Sequence, residues 1–181
     1  MTRPVEQMRA CTACPELAAL RTQVVVGDAP PGARLLLMGE APGAEEDATG
    51  RPFVGRSGQL LDRLLAAAGI RRDEVAVLNT VMCRPPGNRA PTRTESARCR
   101  TWTTGQLDLL APRLVVALGL SATRWFLGPV TLSGVRGRVH ESGWPVLPTY
   151  HPSAALRCGP AGPAALLLAE DLVLAAALVG S

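Results

Sequence analysis

Four short runs of aliphatic residues, Leu35 to Met38, Val75 to Leu78, Leu114 to Leu118 and Val146 to Leu147, punctuate the chain, with helical patterns between several of them. That alternation predicts parallel strands joined by crossover helices. Between the first two runs, Leu60, Leu61, Leu64, Leu65 and Ala68 recur at helical spacing, with Ser57 as the expected N-cap and Gly69 as the stop. Gln106 to Leu110 ends a second helix ahead of Pro112, and Ala161 to Leu178 reads as a long, mostly buried C-terminal helix. Pro30, Pro31 and Gly32 make a turn before the first strand, and no internal repeat interrupts the pattern. The expected architecture is a single three-layer α/β/α domain over residues 1–181, with a short, mainly parallel central sheet.

The remaining composition narrows the class. Of 181 residues, 47% are hydrophobic and 19% charged, the balance of a chain with a core rather than a disordered one. The longest apolar stretch, Ala164 to Val179, is interrupted by Glu170 and Asp171, and the N-terminal MTRPVEQMRACTAC lacks the apolar centre of a signal peptide. A soluble, cytoplasmic monomer without a membrane partner is expected. In a reducing compartment its five cysteines are metal ligands or free thiols rather than a disulfide framework. All 19 basic residues are arginine, which genomic base composition explains as well as function does. The net charge of +4 permits a polyanionic partner without requiring one.

In open α/β sheets ligands sit beyond the carboxyl ends of the strands, and the polar, glycine-rich segments fall there. They are Gly39 to Gly55, Asn79 to Pro91, Gly119 to Ala122 and Thr149 to Arg157. Gly39, Pro42 and Gly43 suit a backbone that something approaches closely, whereas Glu40, Glu45, Glu46 and Asp47 read equally as a solvated acidic loop. Phe53 is one of two phenylalanines yet lies in this polar loop, either as core packing or as a stacking platform for a base. His151, one of two histidines, is structural or functional, and its placement at the same sheet edge as Glu40 and Asn79 favours function. Cys11 and Cys14 form a CxxC pair, followed by Cys83 and Cys99. The four read as a thiolate site for zinc or an iron–sulfur cluster, or as buried small hydrophobes or a redox pair. Cys158 lies outside the set.

Taken together, GEAPGAEEDATGRPFVGRSGQLL, CRPPGNRAP and HPSAALR, in this order with four cysteines around them, closely resemble the family 4 uracil-DNA glycosylases, which carry a [4Fe-4S] cluster. The resemblance runs from about Cys11 to Arg157. It implies that Cys11, Cys14, Cys83 and Cys99 ligate the cluster, that Phe53 stacks on a flipped uracil beside Gly39, and that Asn79 reads its pairing edge. It places Glu40, Glu46 and Asn88 about the pocket and its water, and His151 against the leaving base. The HPSAALR loop would enter DNA, with Leu156 filling the vacated space, Arg157 near phosphate, and Ser153 and Arg89 in the DNA-binding set.

The chemistry implied by the resemblance can be argued further. A base inside a duplex is inaccessible, so extruding it costs a few kcal/mol, and Arg51, Arg84, Arg89 and Arg157 are expected to offset that cost as phosphate partners in single- or double-stranded uracil-containing DNA. Uracil offers an N3–H donor and an O4 acceptor, which a fixed Asn79 amide complements and cytosine reverses. Glu46 or its loop is the expected wall against the thymine methyl group. A neutral or cationic His151 donating to O2 stabilises the departing base, while a water held by Asn88 and a carboxylate attacks the sugar. Without lysine no side-chain amine can form a Schiff base, so unless the N-terminal amine acts as nucleophile a monofunctional glycosylase leaving an abasic site is expected. An iron–sulfur redox protein and a noncatalytic nucleic-acid-binding module are the alternatives.

Overall fold

The computed structural model describes residues 2–159 and 162–180. In chain order the elements begin with α1 (Thr2–Arg9) and α2 (Pro15–Leu20), which precede the strand β1 (Leu35–Gly39). Next come α3 (Ala44–Thr49), α4 (Arg56–Ala67), β2 (Val75–Asn79), α5 (Arg93–Leu110) and β3 (Leu114–Leu118). The remainder is α6 (Gly119–Leu127), α7 (Leu132–Val135), the edge strand β4 (His140–Glu141), β5 (Pro145–Thr149), α8 (Pro152–Cys158) and α9 (Pro163–Gly180).

The strands form one sheet of order β2-β1-β3-β5-β4, parallel except for the β4–β5 pair. Their side chains divide by alternation, as the pleat requires. Leu35, Leu37, Val75, Val77, Leu114, Val116 and Leu147 face a layer made by Leu61 and Leu65 of α4, Ala155 of α8 and Leu168 and Leu172 of α9. Leu36, Met38, Ala76, Leu78, Val115, Ala117 and Val146 face Leu107 of α5 and Ala122 and Trp125 of α6. This is the expected α/β/α sandwich. A third apolar cluster joins Met8, Leu17 and Val24 to Val81, Met82, Cys83 and Cys99, so the irregular first segment packs against the turn after β2 and the start of α5.

Two expectations are corrected. Gly55, with extended backbone, occupies the N-cap position of α4, so Ser57 lies inside the first turn instead of capping it. Gly69, at φ 75°, does stop the chain just after the helix. Ala161 lies outside the described residues, and α9 runs from Pro163. By length and composition α9 is apolar enough to cross a bilayer, with two acidic residues notwithstanding. Here one face of it lies on the sheet while Leu166 and Val173 are exposed, which corrects the expectation of a mostly buried helix. Its Asp171 is buried, accepts two hydrogen bonds from Arg136 at 2.8 and 3.2 Å, and is also bonded by the Thr149 hydroxyl at the end of β5.

Candidate functional site

The carboxyl ends of β1, β2, β3 and β5 open onto a cavity of about 520 Å³, walled by the loops that the sequence places there. Gly39 and Asn79 are in register as the last residues of β1 and β2. Gly119 follows β3 and His151 follows β5. The two glycines are there because space is short. A Cβ on Gly39 would strike the Asn79 amide oxygen and the Phe53 ring, and one on Gly119, at φ 88°, would stand 2.9 Å from His151 Cβ.

Asn79 is 4% exposed, and its Oδ1 is buried without a hydrogen-bond partner. An unpaired buried carbonyl costs free energy, so such an atom in a cavity wall is an acceptor awaiting a donor. Phe53 supplies a flat face nearby, its ring 5.7 Å from the His151 ring and tilted by 37°. Phe53 holds a left-handed backbone with φ 53°, which is costly for a bulky residue.

Glu46 explains how that conformation is held. Its Oε1 accepts from the backbone N–H of Val54 and of Gly55, each at 2.9 Å, and its Oε2 accepts from Gly43 N–H at 3.1 Å. Val54 and Gly55 directly follow Phe53, and Gly43 is the N-cap of α3. Glu46 thus borders the cavity with both its oxygens bonded to backbone. Gly58 completes the arrangement, because a side chain there would collide with the Phe53 backbone. Glu40 also lines the cavity, its carbonyl fixed by Val81 N–H at 3.0 Å and Thr80 Oγ1 at 2.7 Å.

His151 caps α8: the Ser153 backbone N–H donates to Nδ1 at 3.1 Å, and the Ser153 hydroxyl lies 2.8 Å from the same atom. A neutral ring that accepts at Nδ1 carries its proton on Nε2, so the outer nitrogen is the donor. Burial, with the Arg157 charge adding to it and Glu46 opposing it, holds the imidazole down at about 4. A ring held there is neutral near pH 7. Ser153, expected on DNA, serves here to orient His151.

Asn88, at φ 56°, lines the cavity, and its Oδ1 accepts from Arg84 Nε at 2.7 Å, leaving the amide NH2 for a further partner. Arg157 borders the cavity and is exposed, and Leu156 is half-buried on α8. Two other expected phosphate partners are placed differently. Arg51 sits 3.6 Å from Asp28, beside a second cavity of about 810 Å³ near the start of β2. Arg89 turns its guanidinium onto Glu95 at 2.8 and 2.9 Å. Ser57, Pro85, Leu120 and Ser121 also line the first cavity. Of these, Ser57 and Pro85 fall within the motifs, and Leu120 and Ser121 lie in the first turn of α6, directly after β3; nothing but topology points to them individually.

The four cysteines Cys11, Cys14, Cys83 and Cys99 come together at the third apolar cluster, near enough for each to influence the others' charge. Burial raises the Cys14 and Cys83 thiols and pushes Cys99 up to about 12. Donors face the sulfurs: Arg21 Nη1 lies 3.2 Å from Cys83 Sγ and Trp102 Nε1 3.4 Å from Cys11 Sγ. Among the described residues no three acidic, histidine or cysteine side chains are drawn tightly enough to hold one metal ion. Four thiols at an apolar cluster, two of them faced by N–H donors, suit a thiolate-ligated metal group. Cys158 is exposed and apart.

The main cavity thus offers a flat platform, a buried amide with an unpaired acceptor, and a neutral imidazole donor at the ligand-binding edge of an α/β sheet. Those are the requirements of a nucleobase-binding protein of the open α/β class. Residues 26–168 match the profile of the Uracil DNA glycosylase superfamily. The chain is 47% identical over 156 residues to the Type-4 uracil-DNA glycosylase of Thermotoga maritima, covering 84% of this chain and 81% of that protein. The Type-4 uracil-DNA glycosylase of Archaeoglobus fulgidus is 38% identical over 162 residues, 84% of this chain and 81% of that protein. A Type-5 uracil-DNA glycosylase of Mycobacterium leprae is 33% identical over 189 residues, 81% and 82% of the two chains. The protein belongs to the uracil-DNA glycosylase superfamily.

Proposed function

We propose that the protein excises uracil from DNA by hydrolysing its N-glycosidic bond, leaving an abasic site for repair. The buried, unpaired Asn79 Oδ1 carries this reading. A flipped uracil stacked on Phe53 gives that atom its N3–H and receives the Asn79 NH2 at O4. Cytosine would set an acceptor against an acceptor and a donor against a donor. As the bond to the sugar breaks, negative charge gathers on the base, and the Nε2–H of neutral His151 donates to O2 without first losing a proton. The water that attacks the sugar needs an acceptor and an orienting donor, which the Glu40 carboxylate and the Asn88 NH2 supply. Exposed Arg157 and half-buried Leu156 on α8 suit phosphate and the emptied base stack.

A [4Fe-4S] cluster held by Cys11, Cys14, Cys83 and Cys99 is part of the proposal. It would supply a covalent tie between the first segment and α5, and hydrolysis asks no electron of it.

The test is incubation of purified protein with uracil-containing single- and double-stranded oligonucleotides in a chelator of divalent cations. Free uracil and an intact strand carrying an alkali-labile site are the expected products. Strand cleavage without alkali, or tight DNA binding with no base released, would overturn the reading, the latter in favour of a noncatalytic binding module.

A further inference from the structure

Arg89 stands where the base cavity meets the cysteine-bearing elements. It follows Asn88 in the loop between β2 and α5 and forms part of the cavity wall. Its two terminal nitrogens bond the two oxygens of Glu95 at 2.9 and 2.8 Å, a bidentate pair, and Nη2 lies 3.4 Å from Glu16 Oε2. Glu95, 7% exposed, also accepts the Thr92 backbone N–H at 2.7 Å as half of the capping box that starts α5. One turn further, α5 carries Cys99, and Glu16 belongs to α2, whose N-cap is Cys14. Arg84 braces Asn88 from within the loop, whereas Arg89 ties the loop to two other elements. A phosphate would have to compete with a doubly bonded carboxylate for the same guanidinium fork.

We infer that Arg89 is a positioning residue: clamped by Glu95, it fixes the Asn88 wall of the cavity to the helices that carry Cys14 and Cys99, and it is not a phosphate contact. The inference rests on the uracil reading of the cavity. Asn88 holds a left-handed backbone at φ 56°, and the Arg89 clamp ties the residue beside it to the body of the protein, whereas the Arg21–Cys83 and Thr80–Glu40 bonds hold only the start of the loop.

The experiment compares wild type, Arg89→Gln, Glu95→Gln and the double variant. A glutamine at position 95 keeps an acceptor for the capping box, so the start of α5 survives, and thermal melting verifies folding. Each single change is expected to slow single-turnover uracil release about tenfold, as a displaced wall residue does. The double variant should fall no further, because the two side chains act as one unit. DNA affinity should stay within about twofold, with an unchanged slope of log K against log salt. If Arg89 instead contacts phosphate, its removal weakens binding and lowers that slope by about 1, while Glu95→Gln leaves binding intact or tightens it. That pattern, or wild-type rates in both single variants, overturns the inference.

Amide exchange measured without DNA separates the clamp from the uracil reading. Residues 84–90 should exchange faster in Glu95→Gln while the β2 amides of residues 75–79 keep their protection. Unchanged exchange in residues 84–90 overturns the clamp even if uracil is released. Faster exchange there in a protein that releases no uracil sustains the clamp and overturns the uracil reading.

Discussion

Glu46 offers the sharpest perturbation of the site, because its three accepted bonds are specific enough to compute a consequence. Glu46→Gln conserves shape but leaves one oxygen where there were two. If that oxygen keeps Val54 and Gly55, the new NH2 faces the Gly43 N–H, donor against donor; if it turns over, two bonds are lost instead of one. A hydrogen bond to a charged group contributes about 1.5–3 kcal/mol, and the half-buried setting argues for the lower part of that range. The expected destabilisation is about 2 kcal/mol for the lost bond and the lost charge on the others. For a chain of this size that lowers Tm by roughly 4–8 °C. Because the flanking N–H groups hold Phe53 at φ 53°, the platform shifts, and uracil release should fall about 10- to 100-fold. The assay pairs thermal melting with single-turnover excision. A carboxylate that acts on water would lose rate at unchanged Tm. A variant that melts with the wild type while losing rate, or matches it in both, refutes the positioning role.

Asn79→Asp nearly conserves volume but, when ionised, cannot donate to uracil O4, so excision should fall at least about tenfold, roughly 1.4 kcal/mol of transition-state stabilisation, with the fold retained; a folded variant cleaving at the wild-type rate contradicts the base-reading role. The His151 imidazole is held at about 4 against an ordinary 6.5, so as pH falls the unfolded chain takes up this proton first. Stability from this group is full above 6.5 and lost as pH falls towards 4, and His151→Gln should flatten that part of the denaturation profile. An excision profile with a His151-dependent inflection between pH 6 and 7 would contradict the neutral-donor assignment. Cys83→Ala and Cys99→Ala should lose iron and stability, whereas Cys158→Ala loses neither; equal iron loss in all three overturns the ligand set.

The strands were legible because each is apolar on both faces. Leu114 to Leu118 matches β3, and the others extend by one to three residues into the loops that carry Gly39, Asn79 and Thr149. The edge strand β4 has two residues and no period to read. Helix α3 hid inside the acidic stretch, because Glu45, Glu46 and Asp47 have the composition of a solvated loop, and only the fold shows that Glu46 and Asp47 accept backbone N–H groups from distant residues. The cavity residues were visible as motifs, but their division of labour was not. Arg89 and Arg157 read alike as arginines of polar segments; in the fold Arg157 stands exposed on α8 and Arg89 is held by the buried Glu95. The capping signal Thr92-x-x-Glu95 was present in the sequence and points to a carboxylate fixed near Arg89.

The third apolar cluster has a consequence for how the chain is made. Met8, Leu17 and Val24 have their packing partners at Val81, Met82 and Cys99. At a synthesis rate of roughly 5–20 residues per second, several seconds separate the appearance of the first group from that of the last. Throughout that interval the nascent N-terminal segment bears apolar side chains and two thiols that nothing yet covers. The sheet faces a similar delay, since β1 lies between β2 and β3 and both neighbours emerge after it. The opening segment thus lacks its packing partners until α5 has been made.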